Sequence, residues 1–393
     1  MPLAAITSHP PVRRPPSAVV LDPDVLEEAI SLHHAGRAVE SIQKTLTHLL
    51  PLQALGDLRE RPLVIVQGSS RVFVRVVGDE VDVRVPMIRL SPEGNPTAAL
   101  RYLLGRVAGS GQLHQPRLYD ENVVLEFRDK LSRLHPLKLL EVLRRMPVEA
   151  DSVDDWMIDQ FGAAALDREP IEPLAEDELQ RAEAIWDAHF AEVEELVKES
   201  QRKRSMFFLN ELTAFAIHHL RCSLPLAGAI VTRVVEAAAI FNDTDQDPNR
   251  REAAVAKFAK EMRALPRDVL HKNLGHASYA IPPADPGTRE VLEANLSADY
   301  LETVRRIRTG GHSMDATLAL VSSYSFLLSK FGWPPEIGAS LLQGLVEVSG
   351  KPWRDASATL LAHAKELLAS LDEDDEETDD EETDEHESAE VAS

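Results

Sequence analysis

Four histidines have side chains suited to metal binding or acid–base catalysis, and their spacing tests whether they could act together. His218 and His219 are adjacent, and adjacent side chains on a helix point about 100° apart. Helical metal ligands instead stand three or four residues apart, so that both face one ion. His271 and His276 have Gly275 between them and no nearby carboxylate cluster to complete a zinc site. We therefore expect packing or surface histidines, and we predict no metal site.

Three aspartates in "NDTDQDPN" (242–249) are spaced like the start of a calcium-binding loop. Such a loop needs glycine at its sixth position and glutamate at its twelfth. Counted from Asp243, these positions hold Pro248 and Ala254. The stretch therefore predicts a capped polar loop and not a calcium site.

The other residues that could do chemistry lack their usual partners. Cys222 has no base near it in sequence, and a lone cysteine at a helix end usually packs. The stretch "TGGHS" (309–313) lacks the lysine of a phosphate-binding loop, so Ser313 is predicted to cap the next helix. We expect no catalytic residue, no cofactor and no enzymatic activity. An all-helical enzyme that uses the four histidines is the alternative.

The charge of the chain is unevenly distributed. Residues 372–390 hold 14 acidic side chains. The formal net charge is −23 for the whole chain and −9 without these residues. Because the remainder is still acidic, it lacks the basic footprint of phosphate-backbone recognition, and we expect no nucleic-acid partner. The acidic tail is predicted either to be a solvated, self-repelling segment or to attract a basic partner.

Composition also bears on location. With one cysteine the chain cannot form an intrachain disulfide, which fits a reducing compartment. No run approaches the roughly 18 consecutive apolar residues of a membrane span, and the proline-rich start lacks the pattern of a secretory signal. We expect a cytoplasmic protein without a membrane span.

Two differently built halves would position these side chains. The first 165 residues predict the order α-β-β-β-α-β-β-α-α, so we expect an α+β N-terminal domain, a small antiparallel sheet with helices on one face. Its clearest feature is the hairpin in "RVFVRVVGDEVDVRVPM" (71–87), where valines alternate on either side of Gly78-Asp79. Pro86 indicates that the second strand ends there or lies at an edge of the sheet.

Shifts in composition divide the chain into five parts. Residues 1–22 are proline-rich and predicted to be disordered, and residues 23–165 form the α+β domain. Residues 166–178 contain two prolines and predict a linker. Residues 179–371 are predicted to be an all-α helical domain, and residues 372–393 a disordered acidic tail.

Two helix–proline–helix corners in the helical domain look alike. The first reads "FAIHHLRCSLPLAGA" (215–229) and the second reads "YSFLLSKFGWPPEIGA" (324–339). Two copies about 109 residues apart indicate either a duplicated helical unit or two corners that share common features. The sequence leaves both interpretations open.

The order of the N-terminal elements resembles that of a known superfamily. A leading helix, three strands, "RVPMIRL", the helix "ALRYLLGRV", two strands and then "LKLLEVLRRM" resemble the YbjN-type and type III secretion chaperone-like superfamily over roughly residues 24–165. The resemblance implies a small α+β domain that often dimerises. For the secretion chaperones it implies sheet and helix surfaces that hold an extended segment of a client protein. It brings no catalytic residues, and the helical half has no counterpart in the typical single-domain member.

The sequence thus favours a non-enzymatic protein-binding chaperone or adaptor that holds a protein client through its α+β domain. The alternative is a structural or scaffold subunit of a larger assembly, with the helical domain driving oligomerisation. In the chaperone interpretation the hairpin presents Phe73, Arg75 and Val77 to the partner, because these residues share the mixed face of one strand. The same face could instead close a homodimer or simply be exposed to water.

Overall fold

The computed structural model describes residues 3–19, 22–50, 55–107 and 113–370. Its N-terminal half combines helices with one antiparallel sheet, as the sequence predicts. The elements are α1 (Pro23–His34), α2 (Ala38–Leu49), β1 (Leu63–Gln67), β2 (Ser70–Val77), β3 (Glu80–Arg89), α3 (Pro96–Val107), β4 (Gln115–Tyr119), β5 (Asn122–Lys130), α4 (Pro136–Phe161) and the short β6 (Ala164–Ala165).

The sheet has the strand order β1-β2-β3-β5-β4, and β6 pairs with the end of β3. Alternation of valines gives it one apolar face. On this inner face the valines of β2 and β3 are at most 3% exposed, and they pack with side chains of α2 and α4. Among the described residues the helices lie against the inner face, so the outer face of the sheet remains open. We call it the open face.

Two local features differ from the order of elements predicted from the sequence. The leading helical stretch is two helices, separated at Gly36, whose φ of +76° favours glycine. The two helices predicted after residue 136 form the single helix α4, which continues through Pro147. A proline inside a helix costs about 3 kcal/mol, and the burial of α4 along the inner face outweighs that local cost.

The prediction that Pro86 ends its strand or marks an edge is wrong. Strand β3 continues to Arg89 and lies between β2 and β5. The pairing with β5 shifts register between Pro86 and Ile88, and such a bulge accommodates a residue that has no N–H to donate. The hairpin is therefore central, and the edges of the sheet are β1 and β4.

The C-terminal half is largely helical. Its elements are β7 (Glu172–Pro173), α5 (Glu176–Lys203), α6 (Met206–Ser223), α7 (Gly228–Phe241), α8 (Pro248–Arg263), α9 (Arg267–Lys272), β8 (Gly275–His276), β9 (Asp285–Pro286), α10 (Arg289–Asn295), α11 (Ala298–Thr309), α12 (Ser313–Lys330), β10 (Phe331–Gly332), α13 (Pro335–Val348) and α14 (353–370). No helix within the described ranges is long and apolar enough to cross a membrane.

The two proline corners join helices of matching length. Helices α6 and α12 have 18 residues each, and α7 and α13 have 14 each. Ser322 Oγ donates to the Glu211 carbonyl oxygen at 3.0 Å, and His218 Nδ1 lies 3.1 Å from Ser329 Oγ. Both contacts join residues 111 positions apart, so α6 and α12 run parallel. Parallel packing of equivalent helices is typical of stacked repeats and favours the duplicated unit.

The N-terminal segment, residues 3–19, lies against the helical half. Ile6 and Val12 are 4% and 5% exposed and belong to the helical core. The indole N–H of Trp353 donates to the Leu3 carbonyl oxygen at 2.9 Å. This packing differs from the predicted disorder of residues 1–22. Its physical reason is the burial of two apolar side chains, Ile6 and Val12, among the helices. The acidic tail lies outside the described residues.

Side chains from both halves meet at their junction. Ile281, in a loop of the helical half, is fully buried in the core of the sheet domain. Its backbone exchanges two hydrogen bonds with the side chain of Gln67, at 2.7 and 2.8 Å. From the predicted linker 166–178, Arg168 donates to Asp155 at 2.6 Å and to Ser69 Oγ at 2.8 Å. The linker is therefore a packed part of the junction.

Candidate protein-binding face

Register places side chains from all five strands in rows across the open face. One row runs through directly opposed residues from edge to edge, namely Val64, Phe73, Arg84, Glu126 and Gln115. The next row crosses the three central strands through Arg75, Asp82 and Arg128. Opposed residues of an antiparallel pair share a face and lie within reach of each other. The open face is therefore a continuous surface of mixed charged and apolar side chains.

Two carboxylates lie beneath four arginines on this face. Asp82 is only 2% exposed and Glu126 only 7%. The ion pairs of Asp82 are with Arg75 Nη2 at 2.8 Å, Arg84 Nε at 3.1 Å and Arg128 Nε at 3.5 Å. Those of Glu126 are with Arg128 Nη2 at 2.8 Å, Arg84 Nη2 at 2.9 Å and Arg117 Nε at 3.6 Å. Buried carboxylates are tolerated when charge-assisted hydrogen bonds compensate their lost hydration.

The guanidinium groups are what this face presents to solvent. The side chains of Arg75, Arg117 and Arg128 are 42%, 56% and 46% exposed. Within this cluster four cations pair with two anions, an excess of two positive charges. Tyr119 adds a hydroxyl that donates to Glu126 at 2.7 Å, and this hydrogen bond raises the pKa of the phenol, so the hydroxyl stays a donor. The arrangement suits an anionic partner that can accept forked hydrogen bonds.

The three residues predicted from the sequence all lie on this face. Phe73 is half-buried between Val64 and Arg84 in the edge-to-edge row, Arg75 is paired to Asp82, and Val77 is 52% exposed beside the turn. The sequence did not point to Glu126, Arg128, Arg117 or Tyr119, which complete the surface. Alternation in "NVVLEFR" (122–128) could have placed the first two together, but the pairing of β5 with β3 is not visible in the sequence.

The four candidate histidines are not brought together. His218 bonds Ser329, as described above, whereas His219 Nδ1 lies 3.4 Å from His189 Nδ1 inside the helical core. Burial lowers the pKa of His219 to about 3, so its ring is neutral. His271 is bonded to Glu183, and His276 lies 3.7 Å from Glu178. Within the described ranges, no group of three or more histidine, cysteine or acidic side chains could hold a metal ion.

One other group has the outline of catalytic geometry. Ser340 Oγ lies 3.2 Å from His363 Nε2, and the Tyr324 hydroxyl lies 2.8 Å from His363 Nδ1. Burial raises the pKa of the Tyr324 phenol, so it stays neutral and gives no negative charge to stabilise an imidazolium, as the carboxylate of a serine-hydrolase triad does. The three residues lie on α13, α14 and α12, and their hydrogen bonds join these helices.

No protein-family model matches this chain, and a search of curated proteins found no similar sequence.

Proposed function

We propose that this chain is a non-enzymatic chaperone or adaptor whose α+β domain holds an extended segment of a client protein. The observation that carries the proposal is the open face, where exposed arginines stand over buried carboxylates. Such a surface recognises carboxylates through forked hydrogen bonds. Half-buried Phe73 and exposed Val77 supply apolar contact on the same face. The element order that resembles the secretion chaperones supports the same proposal, and the single cysteine supports a cytoplasmic location.

The client would lie across the face and would not add as a strand beside the hairpin. Both hairpin strands are already paired on their two sides. At the outer side of β1, Ala280 donates its N–H to the Val66 carbonyl oxygen at 3.1 Å, so that edge is partly occupied. Affinity would therefore come mainly from side chains of the open face, with the arginines giving selectivity for acidic segments.

Site-specific photo-crosslinking tests this proposal. A photo-reactive amino acid replaces Val77 on the open face or, as the matched control, Val346, which is 38% exposed in the helical half. Crosslinked segments from the protein's own cell extract should be acidic and should come from position 77 alone. Equal crosslinking from both positions would contradict the proposal. Crosslinks to a second copy would identify this face as a homodimer interface.

A matched pair of charge variants sharpens the test. The double substitution R117Q/R128Q removes two of the four positive charges of the cluster and leaves Arg75 and Arg84 to pair with the buried carboxylates. The control R202Q/R305Q removes two exposed arginines from the helical half. Client crosslinking from position 77 should fall in the first variant and stay unchanged in the second.

A second function is favoured by the parallel packing of α6 and α12. A scaffold subunit would use the helical half to oligomerise, and parallel helical repeats commonly build extended binding surfaces. A scaffold subunit should form oligomers in solution, and their molecular mass should depend on contacts made by the helical half. We would measure it by light scattering, with exposed Ile240 of α7 (42% exposed) replaced by lysine. A monomer with and without the substitution would contradict the scaffold function.

A further inference from the structure

The open face is a cationic surface on an acidic chain. Its four arginines outnumber its two buried carboxylates, yet without residues 372–390 the chain still has a formal net charge of −9. A cationic surface on a chain of negative net charge attracts anionic segments selectively, because the net charge of the rest of the chain repels them.

We propose that residues 372–393 of the same chain occupy the open face and compete with the client for it. This inference rests on the proposed function, because it assigns an intrachain competitor to the client-binding surface. The tail would act as a client mimic that screens the arginines until a segment with better apolar contacts displaces it.

Charge complementarity is the first argument. Residues 372–390 hold 14 carboxylates and neither lysine nor arginine. The exposed guanidinium groups of Arg75, Arg117 and Arg128 offer donors beyond those used by Asp82 and Glu126, since each arginine carries five N–H groups. A run of carboxylates can accept these hydrogen bonds in many registers. The complementarity therefore requires no unique sequence match, which suits a displaceable competitor.

Reach is the second argument. The 22 residues from 372 to 393 span up to about 70 Å when extended, at roughly 3.3 Å per residue. A compact chain of this length has a radius of gyration of about 21 Å and hence a diameter of roughly 50–55 Å. The path over the surface of such a sphere to its opposite pole is roughly 80–85 Å. A segment that starts at the end of α14 can therefore reach the open face from most of the surface, although not from the point directly opposite it.

Tethering makes even a weak contact effective. A segment joined to the same chain meets its site at an effective concentration on the order of 1 mM. A free tail peptide with a Kd on the order of 0.1 mM would then occupy the face in about nine chains of ten. Client binding at a fixed client concentration would be reduced about tenfold, and neutralising the tail would restore it.

The experiment uses the full chain with the photo-reactive amino acid at position 77. Crosslinks should form within the chain to residues 372–393 and should fall severalfold in R117Q/R128Q but not in R202Q/R305Q. They should also fall between 0.05 and 1 M salt, because the Debye length shortens to about 3 Å at 1 M. A mixture of isotopically light and heavy chains separates intrachain from interchain crosslinks.

A second arm measures competition. Every Asp and Glu from 372 to 390 is replaced by Asn or Gln, which keeps the length of the tail and removes its charge. A 20-residue poly-glutamate peptide, used as a defined acidic probe, should bind this variant about tenfold more tightly than the wild-type chain. R117Q/R128Q should abolish the difference, and R202Q/R305Q should preserve it.

Three results would overturn the inference. The first is that crosslinks from position 77 do not reach residues 372–393. The second is that crosslinks join light to heavy chains, which would show that the tail of a second copy occupies the face. The third is that the poly-glutamate probe binds chains with charged and with neutralised tails equally tightly. The proposed function fails separately, if the neutralised chain gives no client crosslinks from position 77 in extract. The two failures are therefore distinguishable.

Discussion

At the scale of single residues, the chain holds buried acids in two different ways. Asp82 and Glu126 lie under arginines, whereas Glu192 of α5 forms no ion pair with another described residue. Its Oε1 accepts from the Thr7 N–H at 2.7 Å, and its Oε2 has no hydrogen-bond partner among the described residues. Burial raises the pKa of Glu192 to about 7, although the bonds from Thr7 oppose the shift. The N-terminal segment therefore lies on a carboxyl group that titrates near neutrality.

Glu192→Gln should change stability in a pH-dependent way. Because the pKa is about 7 in the folded chain and about 4.5 in the unfolded chain, the folded state binds the proton more tightly, and stability falls as pH rises from about 4.5 through 7. The amide cannot ionise, so the variant should match the wild type at pH 5 and exceed it at pH 8 by about 1–3 kcal/mol. Urea denaturation at both pH values measures this.

An exposed glutamate provides the control for that prediction. Arg305 and Arg306 lower the pKa of Glu302 to about 2, so Glu302→Gln should not gain stability as pH rises. An equal gain for Glu192→Gln at pH 5 and pH 8 would show that its effect is not due to ionisation.

At the scale of elements, the sheet separates a sealed face from an open one, and identical substitutions should distinguish them. Val83→Lys puts an unpaired cation into a fully buried site, at a cost of several kcal/mol, which is comparable to the total stability of a small domain. Val77→Lys places a cation opposite Glu80 on the open face. It should change the free energy of unfolding by less than about 0.5 kcal/mol. Thermal melts followed by circular dichroism compare the two, and similar melting temperatures would show that the assignment of faces is wrong.

Much of this sheet could be predicted from local pattern, and its polar surface only in part. Alternation in β2 and β3 reveals the buried valines and places Asp82 and Arg84 on the opposite face. It cannot show that Asp82 is 2% exposed, because three arginines from three strands cover it. The course of β3 past Pro86 likewise depends on its pairing with β5. Pairings distant in sequence leave no mark on local periodicity, and such pairings build the candidate site.

At the scale of the whole molecule, the halves depend on each other and on the N-terminal segment. Deleting residues 3–14 should destabilise the helical half, because it removes buried Ile6 and Val12 and leaves Glu192 without its donor. Each buried aliphatic side chain contributes about 1.5–3 kcal/mol, so the loss should be about 3–6 kcal/mol. Urea denaturation measures it, and replacement of exposed Pro15 by alanine is the control. An unchanged midpoint would mean that the segment does not pack in solution.

The sheet domain should likewise lose stability when it is separated from the helical half. A fragment of residues 22–165 keeps the helices and strands but loses Ile281 from its core and the backbone partner of Gln67. We expect it to fold cooperatively, with a midpoint below that of the sheet domain in the full chain. In the full chain, Ile281→Ala should cost about 2–4 kcal/mol. Amide-exchange mass spectrometry can follow the sheet strands in the fragment and in Ile281→Ala. Protection of these strands equal to that in the wild-type chain would show that the helical half does not stabilise the sheet domain.

The contact between Leu3 and Trp353 has a consequence for synthesis on the ribosome. These residues are 350 positions apart, and at about 5–20 residues per second the second is made roughly 20–70 s after the first. During that interval the nascent chain has Leu3 but not the indole to which its carbonyl oxygen binds. The sheet domain can fold as it emerges, whereas Leu3, which is made before that domain, can dock on Trp353 only after it. A bulky fusion ahead of residue 3 would therefore interfere with this late step of folding while sparing the earlier ones.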